Sequence, residues 1–230
     1  MSFISFVKTL FGINKARSAK RAGIHEESVS ASPLGLGIGA MVSIDELLLE
    51  GLKDKINMPI PSSCTLPIFA TGIIDVKFGT LLNRFYTNDE KVWLQVMTNG
   101  SDEEAVESVN LFYYVDAVYP SSESELVRLA GDSSPIGLPT YQYNGKTYHR
   151  VWGTEEGRTK LSEYSEHVLN EADESYVIVH RAMLYSRQIE GSDRVELVLI
   201  SVEEDDEGGF CISTSIGISL LNNDIKVLGA

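Results

Sequence analysis

Basic residues are scarce in this chain: 19 Lys and Arg stand against 33 Asp and Glu across 230 residues, a formal net charge of -14. Such a balance lacks the basic stripe that a phosphate backbone needs, so no nucleic acid is expected among its partners. No run of about 18 apolar residues occurs, and a helical membrane span is not expected. Cysteine is limited to Cys64 and Cys211, far apart and without a CxxC, which excludes a zinc knuckle or dithiol redox motif. Two reduced thiols in a cytosolic protein is the simpler reading. The N-terminus lacks the positive-then-apolar order of a signal peptide, because its apolar stretch begins at Phe3 and its charges follow.

Catalytic signatures are equally scarce. There is no G-x-S-x-G, no H-E-x-x-H and no P-loop, and the four histidines, His25, His149, His167 and His180, are scattered. Leu34 to Ala40 (LGLGIGA) satisfies G-x-G-x-x-A, but Ala31-Ser32-Pro33 precede it where a buried strand would be required, so dinucleotide binding is not supported. The acidic run Glu203 to Glu207 lacks the alternating ligand spacing of a calcium loop and reads as a solvated hairpin tip. No metal and no cofactor are expected.

What is present is ordinary globular material, 43% apolar and 23% charged, arranged unevenly. Residues 1 to 22 carry Lys8, Lys15, Arg17, Lys20 and Arg21 and no acid, a net of +5, which leaves -19 for the remainder. Phe3, Val7, Leu10 and Phe11 fall on one helical face there. Phe3, Val7, Lys8, Leu10, Phe11, Lys15 and Arg17 are therefore candidates for docking onto a protein partner or an anionic membrane surface. The alternative is that the segment folds back onto its own acidic body. Residues 23–33 read as a linker. Residues 34–230 read as the folded domain, with two β lobes at 34–135 and 136–230 as an option.

The fold expected for that domain is α+β: mainly antiparallel strands with three or four helices. Strands are expected at Met41 to Ile44, Ile68 to Phe78, Leu82 to Tyr86, Val92 to Thr98, Val109 to Val118, Tyr176 to Ile189, Arg194 to Val202 and Phe210 to Leu221. Ser43 and Glu46 form a capping box for a helix over about 45–56. A second helix follows Pro120, capped by Ser121 or Ser122. Thr154 to Asn170 reads as a polar amphipathic helix. Asn144-Gly145 between alternating aromatics predicts a type I′ hairpin. Thr71 to Val118 and Ser175 to Leu220 share an order of elements at an offset of about 103, as two related three-stranded meanders would.

Arg84 to Val96 (RFYTNDEKVWLQV), the segment Tyr143 to Gly153 (YNGKTYHRVWG) and Met183 to Arg187 (MLYSR) resemble the YjfK-like bacterial family of unknown function. The opening Leu34-Gly35-Leu36 with Ile38-Gly39 and the Ile44-Asp45 helix start also fit. The resemblance spans roughly residues 33 to 228. It implies a bacterial cytoplasmic protein whose relatives are often encoded beside a phage-shock-type membrane-stress protein and an ATP-grasp ligase, and it implies no activity. Two functions follow as expectations. One is a non-enzymatic interaction or accessory module linked to envelope stress, peripheral at the inner membrane face. The other is an enzyme or binder of a small anionic ligand using Arg84, Tyr86, Asp89, His149, Arg150 and Arg187. The sequence favours the first and leaves the oligomeric state open.

Overall fold

Strand-forming residues dominate the computed structural model, which describes residues 33–99, 106–204 and 208–229. Its strands are β1 (Met41–Ile44), β2 (Thr65–Asp75), β3 (Thr80–Thr87), β4 (Val92–Asn99), β5 (Val106–Val118), β6 (Thr140–Tyr143), β7 (Lys146–Arg150), β8 (Ser162–Asn170), β9 (Ser175–Gln188), β10 (Val195–Glu204), β11 (Phe210–Leu220) and β12 (Ile225–Leu228). All pairings are antiparallel. Following them in order, β2-β3-β4-β5-β11-β10-β9-β8 returns to β2, which closes an eight-stranded barrel. Closure removes the exposed edges that an open sheet of this size would leave. β1 and β12 extend the sheet from the first residues of β2, and the β6–β7 hairpin extends it from the last residues of β9.

The expected α+β architecture with three or four helices is corrected by this ring. Among the described residues only two α-helices occur, α1 (Glu46–Leu52) and α2 (Glu123–Ala130). The two meanders are β3-β4-β5 and β9-β10-β11, and they are opposite walls of one barrel joined at β5–β11. The segment expected as a helix over 154–170 is an irregular loop followed by β8. Its burial alternates strictly, with Glu166, Val168 and Asn170 buried and Ser165, His167 and Leu169 exposed, the period of a strand. The helix start also differs: Asp45, not Ser43, caps α1, its Oδ1 accepting from the amides of Leu47 and Leu48. Ser43 lies in β1, and the helix ends at Leu52 rather than near Ile56. α2 is capped by Ser122, one of the two serines expected.

Asn144 (φ 43°) and Gly145 (φ 75°) occupy the left-handed region that a type I′ turn requires, and the hairpin forms where the Asn-Gly pair places it. Each barrel strand presents two environments. One face contributes Ala70, Tyr86, Trp93, Phe112, Val168, Ile178, Leu199 and Cys211, one side chain from each strand of the ring, to the lumen. The opposite face is apolar on every ring strand except β8, where it is exposed. Phe85, Leu94, Leu111, Met183, Ile200 and Ile216 are packed by an arm running from Pro33 through α1 to Cys64, and by α2 and the β6–β7 hairpin. Cys64 and Cys211 are both free thiols.

Candidate functional site

The lumen is where the chemistry of this chain collects, because alternation on β3, β8, β9 and β10 turns Arg84, Tyr164, Glu166, His180, Ser201 and Glu203 inward. Glu166 is the hub and is 0% exposed. Its Oε2 accepts from Arg84 Nη1 at 2.6 Å and from His180 Nε2 at 2.9 Å, and its Oε1 accepts from the Tyr86 hydroxyl at 2.6 Å. Arg84 completes its donors with Tyr164 Oη at 3.1 Å and Gln95 Oε1 at 3.3 Å, and its guanidinium lies 4.9 Å from the Trp93 ring centroid. Trp93 stacks on Phe112 at 4.3 Å, and its indole N–H has no hydrogen-bond partner among the described residues.

A carboxylate only accepts, so His180 donates from Nε2 to Glu166, while Nδ1 shares a hydrogen bond with Ser201 Oγ at 3.0 Å. Burial alone would raise the Glu166 carboxyl. The Arg84 charge and the His180 and Tyr86 hydrogen bonds overcome it and hold the group at about 2. Glu203 goes the other way: burial raises it, and His180, the Ser213 hydroxyl (2.5 Å) and Arg84 only partly compensate. Arg84 and Glu203 sit on strands half the ring apart, so their mutual influence requires that both point into the lumen.

Ser201, His180 and Glu166 in this order have the hydrogen-bond sequence of a nucleophile, base and orienting acid. Access is what they lack. Ser201 is 2% exposed and His180 3%, and Glu166 is neutralised by Arg84. The constellation can hold charge inside the barrel; it presents no nucleophile to a solvent-borne substrate.

The six residues expected from the sequence are distributed over several places. Arg84 and Tyr86 meet in the lumen. Arg187 lies on the outer wall, where its Nε donates to Glu196 Oε2 at 2.7 Å and its Nη2 to the Lys55 carbonyl at 2.5 Å. Glu196 also accepts from the amides of Asn57 and Met58 and from the Tyr148 hydroxyl, which fastens the N-terminal arm to β7, β9 and β10. Arg150 donates to the carbonyls of Gly137, Gly157 and Glu155 and shapes the 151–161 loop. His149 is exposed on β7, and Asp89 shapes the β3–β4 turn through Lys91 and Val92. Each of the three arginines is thus engaged with carboxylate or carbonyl oxygens. Phe3, Val7, Lys8, Leu10, Phe11, Lys15 and Arg17 lie outside the described residues, as do residues 205–207 of the acidic run.

Glu166, His180, Tyr164 and Glu203 were missed as a site. Their signal was period-2 polarity in Ser162 to Asn170, with Tyr164, Glu166, Val168 and Asn170 on one parity. Glu203, expected at a solvated tip, is 6% exposed and faces inward. Among the described residues no group of three or more His, Cys, Asp or Glu side chains is placed to hold a metal ion, and no helix is long and apolar enough to cross a membrane.

Ring and cluster together define a closed antiparallel β-barrel protein with an ion-paired lumen and a jacketed outer wall. Residues 6–226 match the family described as "Protein of unknown function (DUF2491)", and the chain belongs to that family. It is 24% identical over 211 residues to "Uncharacterized protein YjfK" of Escherichia coli (strain K12), an alignment covering 89% of this chain and 94% of that protein. No solved structure matches the chain.

Proposed function

We propose that this protein is a non-enzymatic interaction module, an accessory protein linked to envelope stress that works in the cytoplasm, peripheral at the inner membrane face. One observation carries the reading: the groups able to do chemistry are consumed by one another. Arg84, Glu166 and His180 are 0–3% exposed and mutually bonded, and Arg187 and Arg150 are likewise engaged. A binder of a small anion needs a cation that is free to meet it. The arginines of this set satisfy the protein instead.

Attachment then falls to residues 1–22, whose +5 charge and apolar residues at helical spacing contrast with the acidic remainder. Each basic group near an anionic lipid surface contributes about 1 kcal/mol, which suits reversible binding. The test uses the full chain with Lys8, Lys15 and Arg17 all changed to Glu. Wild type should co-sediment with vesicles containing phosphatidylglycerol and not with phosphatidylcholine vesicles, and the triple variant should lose this at an unchanged melting temperature. Equal sedimentation of variant and wild type would end the reading.

A further inference from the structure

We propose that the β2–β8 seam is the gate of the barrel and that Glu166 is its latch, a conformational device independent of the docking reading above. The seam is the shortest ladder in the ring. Four register pairs, Ala70–Asn170 to Ile73–His167, join β2 to β8, whereas the other seven ladders carry between seven and ten. Residues 162–166 of β8 have register partners on β9 only. The outer face of β8 is bare as well, with Glu163, Ser165, His167 and Leu169 exposed, while β10 is buried on both faces. Short pairing and one uncovered face are the properties of a segment that opens locally before the rest of the fold.

Glu166 stands next to the point where β2–β8 pairing stops. Its carboxylate passes over Gly72 of β2 and reaches Arg84 and Tyr86 on β3, while its other partner, His180, is on β9. A Cβ at Gly72 would lie 1.8 Å from Glu166 Oε1. The glycine is there for space: it has an ordinary negative φ, and any side chain would expel the carboxylate. One side chain therefore spans the seam and ties both of its flanks. With the latch undone, β8 can part from β2, presenting two strand edges and the lumen face that carries Tyr86, Trp93 and Phe112.

Amide hydrogen exchange on the full chain at neutral pH tests this. In the wild type, the seam-facing amides of Thr71, Ile73, His167 and Leu169 should exchange at least tenfold faster than those of 197–202. Glu166→Gln and Gly72→Ala should each accelerate the seam amides at least tenfold more than they accelerate those of 197–202. Glu196→Gln, which loosens the outer clamp, should leave the seam unchanged. Seam amides as protected as those of β10, or a uniform acceleration across all strands in Glu166→Gln, would overturn the proposal. Should Glu166→Gln and Gly72→Ala fail to fold, Tyr86→Phe removes a single hydrogen bond to the latch. A seam-confined rise of threefold or more would then support the proposal, and no seam-confined rise would overturn it.

Discussion

Two buried Arg–Glu pairs hold this barrel, one on each side of its wall, and they do different work. Arg187 and Glu196 are register partners on adjacent strands, and what they capture is the backbone of the N-terminal arm at Lys55, Asn57 and Met58. Arg84 and Glu166 come from strands separated by β2, and what they capture is the closure of the ring itself. Both glutamates are sealed, and the pairs differ in their arginines: Arg187 sits at an edge and is 11% exposed, Arg84 3%. Water can repair part of a broken outer pair. It cannot reach the inner one without opening the barrel.

The largest effect should come from Glu166→Ala. Removing one partner of a buried pair leaves an uncompensated charge, roughly 3–5 kcal/mol by urea unfolding. Arg187→Met should cost less, about 2 kcal/mol, the scale of hydrogen bonds to a charged group, and should increase proteolysis within 53–60 before the barrel unfolds. Ser122→Ala, which removes the cap of α2 away from both pairs, should cost about 1 kcal/mol in the same assay.

The two lumen glutamates sharpen the contrast further, since their environments push in opposite directions. Glu166 titrates at about 2 in the fold against 4.5 unperturbed, so its contribution is complete above about 4.5 and is lost as pH falls toward 2. Glu203 is raised in the fold, so its ionisation costs stability at neutral pH, and that cost disappears as pH falls through its folded value. The melting temperature should hold or rise from pH 7 to 5 and fall below 4.5. In Glu203→Gln the rise should vanish and the neutral-pH melting temperature should equal or exceed wild type. A Glu203→Gln variant that melts lower at pH 7 would show that its charge is needed.

Local signals in the sequence were readable where one face of an element is apolar. β1, β4 and the Asn144-Gly145 hairpin lie where periodicity and turn chemistry place them, and Ser122 was visible as a cap. β8 was not readable. Its inward residues include Tyr164, Glu166 and Asn170, so a polar lumen removed the hydrophobic alternation by which a strand is recognised, and Ser162 to Asn170 passed for a polar helix. Ring closure was invisible for another reason: β2–β8 and β5–β11 pair residues about a hundred positions apart, and no short window carries that information. Arg84 and Tyr86 were singled out for adjacency to acids and aromatics, yet their partner Glu166 lies 82 positions from Arg84. Asp45 displaced Ser43 as the α1 cap because Ser43 was already committed to β1 pairing.

A double-mutant cycle on the inner pair tests the central claim most directly. Arg84→Met and Glu166→Gln are each unfolded in urea, alone and together. If the two groups exist to satisfy each other across the seam, the double variant should be more stable than the sum of the single losses implies, with a coupling of about 2 kcal/mol or more. Losses that add to within about 0.5 kcal/mol would mean the pair does not hold the barrel shut.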